Sequence, residues 1–455
     1  MTRRGESPFA VRGVIEGFYG PPWSHAQRLD LIAFIAARGM NTFVYAPKDD
    51  PLVRRDWRNP YSGRDLERLS ELADACRRRG VDFVYCLSPG LSIRYGSTAD
   101  LDTLAGKFDL VAEMGVHHFG LLLDDIPDTL QHPTDQTAFG DLVDAHISLV
   151  GRLFDRFGAD RRLIVCPTVY WGYGDEDHIS RLGRGIDPRI DLYWTGRAIC
   201  SPTLDLLDAA TFARATGRPP TYWDNYPVND VAMGHELHIG PYRGRDRHLW
   251  RFALGVIANG MELFESSKIP FATIADYLHQ PDDYDPETSW LQAIREVVGE
   301  EDSHAFSLFA DNVRSSALSD QDAPMVTRAL EAFVFEIEHG GGPTMASHDL
   351  ARLAEQLLSA ADHLLRGPVQ NRALIDEARP WIEAFEIGAQ ALRCMAQLAA
   401  ADRLDGDGRA ELAPYLQRLR QTRVRVFGDV LDMTLMDLTA GSAPEPSRQR
   451  SQGGS

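Results

Sequence analysis

The sequence predicts an α/β chain, a (β/α)8 barrel followed by an all-α helical bundle. Three observations predict it. From residue 11 to about 280, some eight short apolar, β-rich runs alternate with patterns of helical length. Eight such units over roughly 270 residues suit a closed barrel better than an open doubly wound sheet. After Tyr284–Pro286 only helical periodicity remains, dominated by Ala, Leu, Arg and Glu.

The elements follow in order. The first strand is VRGVIE (11–16). A helix starts after Ser24, where Ser24 and Gln27 have capping-box spacing, and Gly39 ends it. The second strand is TFVYA (42–46). A helix over 65–79 stops at Gly80. VDFVYCL (81–87), a helix over 99–114, HFGLLL (118–123) and a long helix over 136–157 come next. RLIVC (162–166), IDLYW (190–194), PTYW (220–223) and GVIAN (255–259) complete the strands. The expected domains are a tail (1–8), the barrel (9–283), the bundle (287–440) and a polar, disordered tail (441–455). Within the bundle, breaks fall at Ser319–Ala323, Gly340–Pro343, Gly367–Pro368 and Gly406–Gly408. A stripe of Leu350, Leu353, Leu357, Leu358, Ala361, Leu364 and Leu365 marks a helix face that packs inside the bundle. The bundle covers the barrel or forms a homodimer contact.

Composition narrows the function. The 455 residues are 44% hydrophobic, with 47 Lys and Arg against 66 Asp and Glu, a net charge of −19. An acidic surface repels phosphate backbones, so nucleic acid and anionic membranes are not expected partners. No stretch approaches about 18 consecutive apolar residues. MTRRGESPFA lacks the apolar run of a signal peptide. Cys76, Cys86, Cys166, Cys200 and Cys394 are odd in number, scattered and without CxxC spacing. The expectation is reduced cysteines in a cytoplasmic protein. Nucleotide binding is disfavoured, because neither GxGxxG nor GxxxxGKS/T follows the first strand.

Barrel chemistry collects at the C-terminal strand ends. Those ends read EGFYG (16–20), YAPKDDP (45–51), SPG (88–90), DDIP (124–127), PTVYWGYG (167–174), TGR (195–197), DNYPVND (224–230) and NG (259–260). Tyr170, Trp194, Trp223, Asn225, Asp230 and Asn259 are candidate rim residues. Aromatic faces stack on sugar rings, and Asn and Asp take hydroxyl hydrogen bonds, so a carbohydrate pocket is favoured. Gly17 is either a turn glycine or a point of close backbone approach.

Asp124 and Asp125 are the sharpest feature. A strand buried on both faces does not end in adjacent carboxylates without cause. A structural reading has Asp125 cap a turn with Asp124 solvated. A metal reading lacks a His or third acid at ligand spacing. The favoured reading is a catalytic pair. Adjacent acids cannot flank a sugar as the usual pair does at about 5–5.5 Å. They can serve one face, one protonating the glycosidic oxygen and the other orienting a nucleophile of the substrate, such as a 2-acetamido group. Their proximity is expected to push one pKa up. Lys48, one of three lysines with Lys107 and Lys268, either pairs with Asp49 or Asp50 or donates into the site.

These segments resemble glycoside hydrolase family 84, the β-N-acetylglucosaminidases that include protein O-GlcNAcases. The matching pieces are GVIEGFYGPPWS (13–24), YAPKDDP, SPG, LLLDDI (121–126), CPTVY (166–170), WTG (194–196), YWDNYPVND (222–230) and GPYRGR (240–245). The resemblance implies that Asp124 orients the acetamido group and Asp125 is the general acid/base. It implies that Gly17, Lys48, Asn225, Asp230 and Asn259 bind sugar hydroxyls, and that Tyr170 and Trp223 line the acetamido pocket. PTVY departs from the PTEY form at Val169. The implied activity is retaining exo-β-N-acetylglucosaminidase action through an oxazoline, on a GlcNAc-containing glycoside or glycoprotein, with no cofactor and no metal. The rivals are hyaluronidase-type endo cleavage and a sugar-binding pseudoenzyme.

Overall fold

The computed structural model describes residues 6–158, 160–339, 345–404 and 406–440. The expected tail at 441–455, most of that at 1–8 and the break at Gly340–Pro343 lie outside the described residues. The chain groups into two units. One holds the described residues through Val231 and Tyr242–Ser289; the other holds Ala232–Pro241 and the residues from Trp290 on.

The first unit is a closed eight-stranded barrel in sequential order. Its strands are β1 (Val11–Glu16), β2 (Thr42–Tyr45), β3 (Asp82–Leu87), β4 (His118–Leu122), β5 (Arg162–Cys166), β6 (Asp191–Trp194), β7 (Thr221–Asp224) and β8 (Gly255–Asn259). All pairs are parallel, and β1 closes on β8 with Val11 beside Gly255 and Ile15 beside Asn259. Their near-continuous apolar runs reflect burial on both faces. Ile15, Val44, Val84, Cys86, Leu122, Cys166, Tyr193, Trp223 and Ile257 fill the interior as one cluster. Each large apolar side chain so buried contributes about 1.5–3 kcal/mol.

The helices are α1 (His25–Ala37), α2 (Gly63–Arg79), α3 (Thr98–Ala112), α4 (Pro133–Ala138), α5 (Leu142–Phe154), α6 (Asp177–Gly185), α7 (Leu206–Thr216) and α8 (Phe264–His279). The capping box at α1 is present. Ser24 Oγ accepts from the Gln27 N–H at 3.3 Å, and Gln27 Oε1 accepts from the Ser24 N–H at 2.8 Å. The single helix expected over 136–157 is two helices. Phe139 is extended, and Asp141 caps α5 by accepting the Asp144 N–H at 3.0 Å. The apolar period carried across the break hid a local side-chain cap.

The second unit is helical: α9 (Pro286–Val298, divided in its first turn), α10 (Ser303–Ala310), α11 (Pro324–His339), α12 (Met345–Arg366), α13 (Arg372–Ala400), α14 (Gly406–Ala410), α15 (Ala413–Gln421) and α16 (Val430–Ala440). The expected break at Gly406–Gly408 begins a short helix instead. On α12, Leu350, Leu357, Ala361 and Leu364 of the apolar stripe are fully buried, while Leu353, Leu358 and Leu365 lie half-buried at its edges. Residues 232–241 connect β7 to β8 in sequence yet belong to this unit. Trp290 Nε1 donates to Ile239 O at 2.6 Å, and Trp381 Nε1 to His235 O at 3.1 Å.

Candidate active site

Two buried ion pairs fix the strand ends. Glu16 ends β1 fully buried; it takes two hydrogen bonds from Arg28 at 2.7 and 2.8 Å and one from the Trp23 N–H at 2.9 Å. Asp224 ends β7 and accepts from Tyr242 Oη at 2.5 Å and from Arg245 at 2.9 and 2.6 Å. A buried carboxylate left unpaired would cost several kcal/mol, about 3–5 when a partner is lost. Parts of the EGFYG, WDN and GPYRGR segments are therefore scaffold, holding loops whose neighbours face the barrel mouth.

Asp124 and Asp125 follow β4. In a regular strand they would point to opposite faces. Asp125 instead adopts φ +52°, a left-handed conformation that a non-glycine residue holds at a cost of about 1–3 kcal/mol. The resulting turn brings both carboxylates to one lysine. Lys48, buried three residues after β2, donates to Asp124 Oδ2 and lies 3.7 Å from Asp125 Oδ2. Asp124 is 4% exposed and its Oδ1 is buried with no hydrogen-bond partner. A solvated Asp124 is thereby corrected, and Lys48 pairs with Asp124 rather than with Asp49 or Asp50.

Asp125 receives two phenols. Tyr19 Oη donates to Oδ2 at 2.8 Å and Tyr170 Oη to Oδ1 at 2.9 Å. Burial raises the Asp125 pKa, but Lys48, Tyr19, Tyr170 and Arg54 together hold it below the ordinary carboxylate range. The expectation that adjacency raises one of the two pKa values does not hold at Asp125, because Lys48, the two phenols and Arg54 outweigh burial. Burial lowers the Lys48 pKa, and Asp124, Tyr19 and Asp125 more than reverse this. Asp230 is moved the other way, upward, chiefly by burial.

A second set completes the mouth. Asn259, at the end of β8, accepts the Gly17 N–H at 3.1 Å and donates to Asn225 Oδ1 at 2.9 Å. Asn225 Oδ1 also accepts Trp223 Nε1 at 2.9 Å. Asp230 accepts the Tyr19 N–H at 2.6 Å. The Lys48 ammonium lies 5.4 Å from the Trp223 ring centroid. A Cβ on Gly17 would come within 2.5 Å of that ring, so glycine here admits the tryptophan rather than forming a turn. The structure thus joins Gly17, Lys48, Asp124, Asp125, Tyr170, Trp223, Asn225, Asp230 and Asn259 in one contact network. Trp194 does not join it; its ring is fully buried against Phe212 of α7, 5.1 Å between centroids, on the outer side of the barrel. Tyr19 and Arg54 were missed. Tyr19 stood inside EGFYG, and Arg54 carried no signal beyond following Lys48 by six residues. Among the described residues no group of three or more His, Cys, Asp or Glu could hold a metal ion.

Comparisons with known proteins agree on one family. A family model described as beta-N-acetylglucosaminidase matches residues 12–311. Protein O-GlcNAcase of Rattus norvegicus is 32% identical over 271 residues, 58% of this chain and 29% of the relative. The chain therefore spans less than a third of that relative's length. A mutant of the Thermobaculum terrenum O-GlcNAc hydrolase superposes with a TM-score of 0.89 at 32% identity, covering 95% of both chains. CpGH84B superposes with a TM-score of 0.84 at 28% identity, over 95% of this chain and 77% of the other.

Proposed function

The chain belongs to the beta-N-acetylglucosaminidase family of glycoside hydrolases, and from that premise we propose that it is a retaining exo-β-N-acetylglucosaminidase working by substrate assistance. The observation that carries this reading is the pairing of Asp125 with a buried Asp124 whose Oδ1 has no protein donor. A carboxylate oxygen in that state costs about 1–3 kcal/mol and is satisfied by a substrate N–H. The 2-acetamido group of a terminal GlcNAc supplies one.

In the first step Asp125 donates its proton to the glycosidic oxygen as the C1–O bond breaks. The acetamido oxygen bonds to C1 from the opposite face, and Asp124 Oδ1 accepts the hydrogen bond of the acetamido N–H, stabilising the positive charge. The alcohol leaves with the Asp125 proton. In the second step the Asp125 carboxylate takes a proton from water, which attacks C1 and opens the oxazoline with net retention. The low resting pKa of Asp125 suits this second, basic role. Protonation for the first role follows when bound sugar removes water from the Asp125 carboxylate, since desolvation favours its neutral form.

Gly17, Lys48, Asn225, Asp230 and Asn259 are the groups we assign to the sugar hydroxyls, with Tyr170 and Trp223 beside the acetamido group. GlcNAc-modified protein or a small glycoside is the proposed substrate. Work in a reducing compartment such as the cytoplasm is supported by five free cysteines, three of them buried. A homodimer through the helical unit is supported by exposed Phe335, Met433 and Met436.

The test compares an aryl β-N-acetylglucosaminide with the aryl β-glucoside. Turnover of the first and none of the second is expected. Turnover of both would remove the need for acetamido participation. Release from neither, with binding retained, would make the chain a sugar-binding module. Oligosaccharides released from polymer would make it an endo enzyme.

A further inference from the structure

Arg54 stands between the two parts of the site that reach Asp125. Its Nη1 donates to Tyr19 Oη at 2.7 Å, and its Nη2 donates to the Asp125 backbone carbonyl at 3.1 Å. The guanidinium carbon also lies 5.4 Å from the Tyr19 ring centroid. One planar fork therefore holds both the phenol that faces Asp125 Oδ2 and the left-handed peptide from which the Asp125 side chain springs.

The chemistry of the donors gives this contact a direction. Arginine has donors only. The Tyr19 oxygen must then accept from Arg54, which leaves its one proton for Asp125 Oδ2. Without Arg54 the phenol is free to rotate. The Asp125 carbonyl also loses its tie, in a residue whose φ of +52° already stores strain.

The loop that carries Arg54 is anchored at several points. Lys107 of α3 donates to three of its carbonyls, Leu52 O at 2.5 Å, Trp57 O at 3.0 Å and Asn59 O at 2.8 Å. The Ser88 N–H donates to Val53 O at 2.9 Å, and Trp57 Nε1 to Ser92 Oγ at 3.1 Å. Val53 and Trp57 are buried on either side of Arg54. So many anchors around one half-exposed arginine exceed what a surface ion pair requires, since such pairs contribute about 0–1 kcal/mol.

We propose that Arg54 is a positioning residue for proton transfer, which aims Asp125 by clamping the Tyr19 hydroxyl and the Asp125 carbonyl in one fork. The proposal rests on Asp125 being the general acid/base. Arg54 touches no reacting atom; it acts through Tyr19 and Asp125.

The groups that face Asp125 are Tyr19 after β1, Lys48 and Arg54 after β2, Asp124 after β4, Cys166 and Tyr170 from β5 and its loop, and Asp230 after β7. Of these Lys48 and Arg54 are the cations. Removing Arg54 leaves Lys48 as the only one, so the Asp125 limb of the pH profile moves to higher pH. Arg54→Lys keeps a charge but not the fork, because one ammonium cannot reproduce two coplanar donors.

The experiment measures kcat/KM against pH for the wild-type chain, Arg54→Ala, Arg54→Lys, Tyr19→Phe and Asp125→Asn, on two aryl N-acetylglucosaminides with good and poor leaving groups. Arg54→Ala is expected to lose about tenfold or more on the poor leaving group, part of the 10²–10⁴-fold worth of general acid–base catalysis. Its loss on the activated substrate is expected to be several-fold smaller, with the limb moved up. Arg54→Lys is expected to restore the limb and not the discrimination. Equal losses on both substrates with an unmoved limb would overturn the proposal and leave Arg54 a structural residue. If Arg54→Ala does not fold, Arg54→Lys combined with Tyr19→Phe decides. A double variant that loses clearly less than the two single losses combined supports the clamp, because one arm acts through Tyr19, and fully additive losses sink it. Asp125→Asn separates the two levels: leaving-group-independent loss there defeats the Asp125 assignment itself. The expected Asp125→Asn behaviour with uniform Arg54 losses defeats only the clamp.

Discussion

Lys48 binds one oxygen of Asp124 and leaves the other, Oδ1, buried with no partner. The same ammonium lies 3.7 Å from Asp125. A single ammonium thus faces both acids, and Asp124 is half satisfied in a place where half satisfaction is costly.

Lys48→Met is therefore expected to damage stability as well as activity. It strands Asp124 without its cation, a loss of about 3–5 kcal/mol for a buried pair. The check is thermal or denaturant unfolding of Lys48→Met beside Lys48→Met/Asp124→Asn. The double variant should regain most of the lost stability and none of the activity. If the two unfold alike, the stability does not depend on that pair.

Asp124→Asn tests the acetamido role. Successive fluorination of the N-acetyl methyl group weakens the carbonyl oxygen as a nucleophile. Wild-type kcat/KM on aryl substrates should fall steeply along the mono-, di- and trifluoro series. Asp124→Asn should lose most on the unfluorinated member, where participation is greatest. A flat wild-type response would point to an enzymic nucleophile and end the substrate-assisted reading.

Much of this site was legible because strand order gives rim order. Once eight runs are counted, EGFYG, APKDD, LLLDDI, PTVY, WDN and NG fall on one mouth without any geometry. The direction of a side chain was not legible where strand ends are short. Trp194 and Trp223 both stand at strand ends, yet Trp194 turns outward to Phe212 while Trp223 faces Lys48. The direction of the Asp125 pKa was not legible for a related reason. Adjacency of two acids is written in the sequence, whereas the contact of Asp124 with a lysine 76 residues before it is not. The break before α5 is the helical counterpart, where a cap formed by Asp141 outweighed an unbroken apolar period.

Gly17→Ala probes the contact between the first strand's end and Trp223. The added Cβ would meet Trp223 Cζ2 at 2.5 Å, and the tryptophan is 4% exposed with little room to withdraw. Overpacking of this kind costs about 1–3 kcal/mol. Moving the ring also disturbs Asn225 and, through it, Asn259. A raised KM for the aryl N-acetylglucosaminide with a lowered melting temperature is expected. Unchanged values for both would mean that Trp223 is free to shift and does not define the pocket.

His146 supplies a pH dependence outside the site. It lies on α5, fully buried, with Nε2 3.2 Å from Tyr95 Oη and Nδ1 without a partner. Burial, aided by His178, pushes its pKa down to about 3. The unfolded value is about 6.5. A base whose folded pKa is depressed is protonated preferentially in the unfolded chain. Its effect on stability is therefore absent above about pH 6.5 and grows as the pH falls towards the folded value, at about 1.4 kcal/mol per unit. His178, also lowered by burial, adds in the same direction. His146→Gln keeps a polar group beside Tyr95 and removes the titration. The variant is expected to be somewhat less stable at pH 8, yet to lose less melting temperature than wild type between pH 7 and pH 5. Parallel curves for the two proteins over that interval would show that His146 takes up no proton on unfolding, and that the acid sensitivity resides elsewhere.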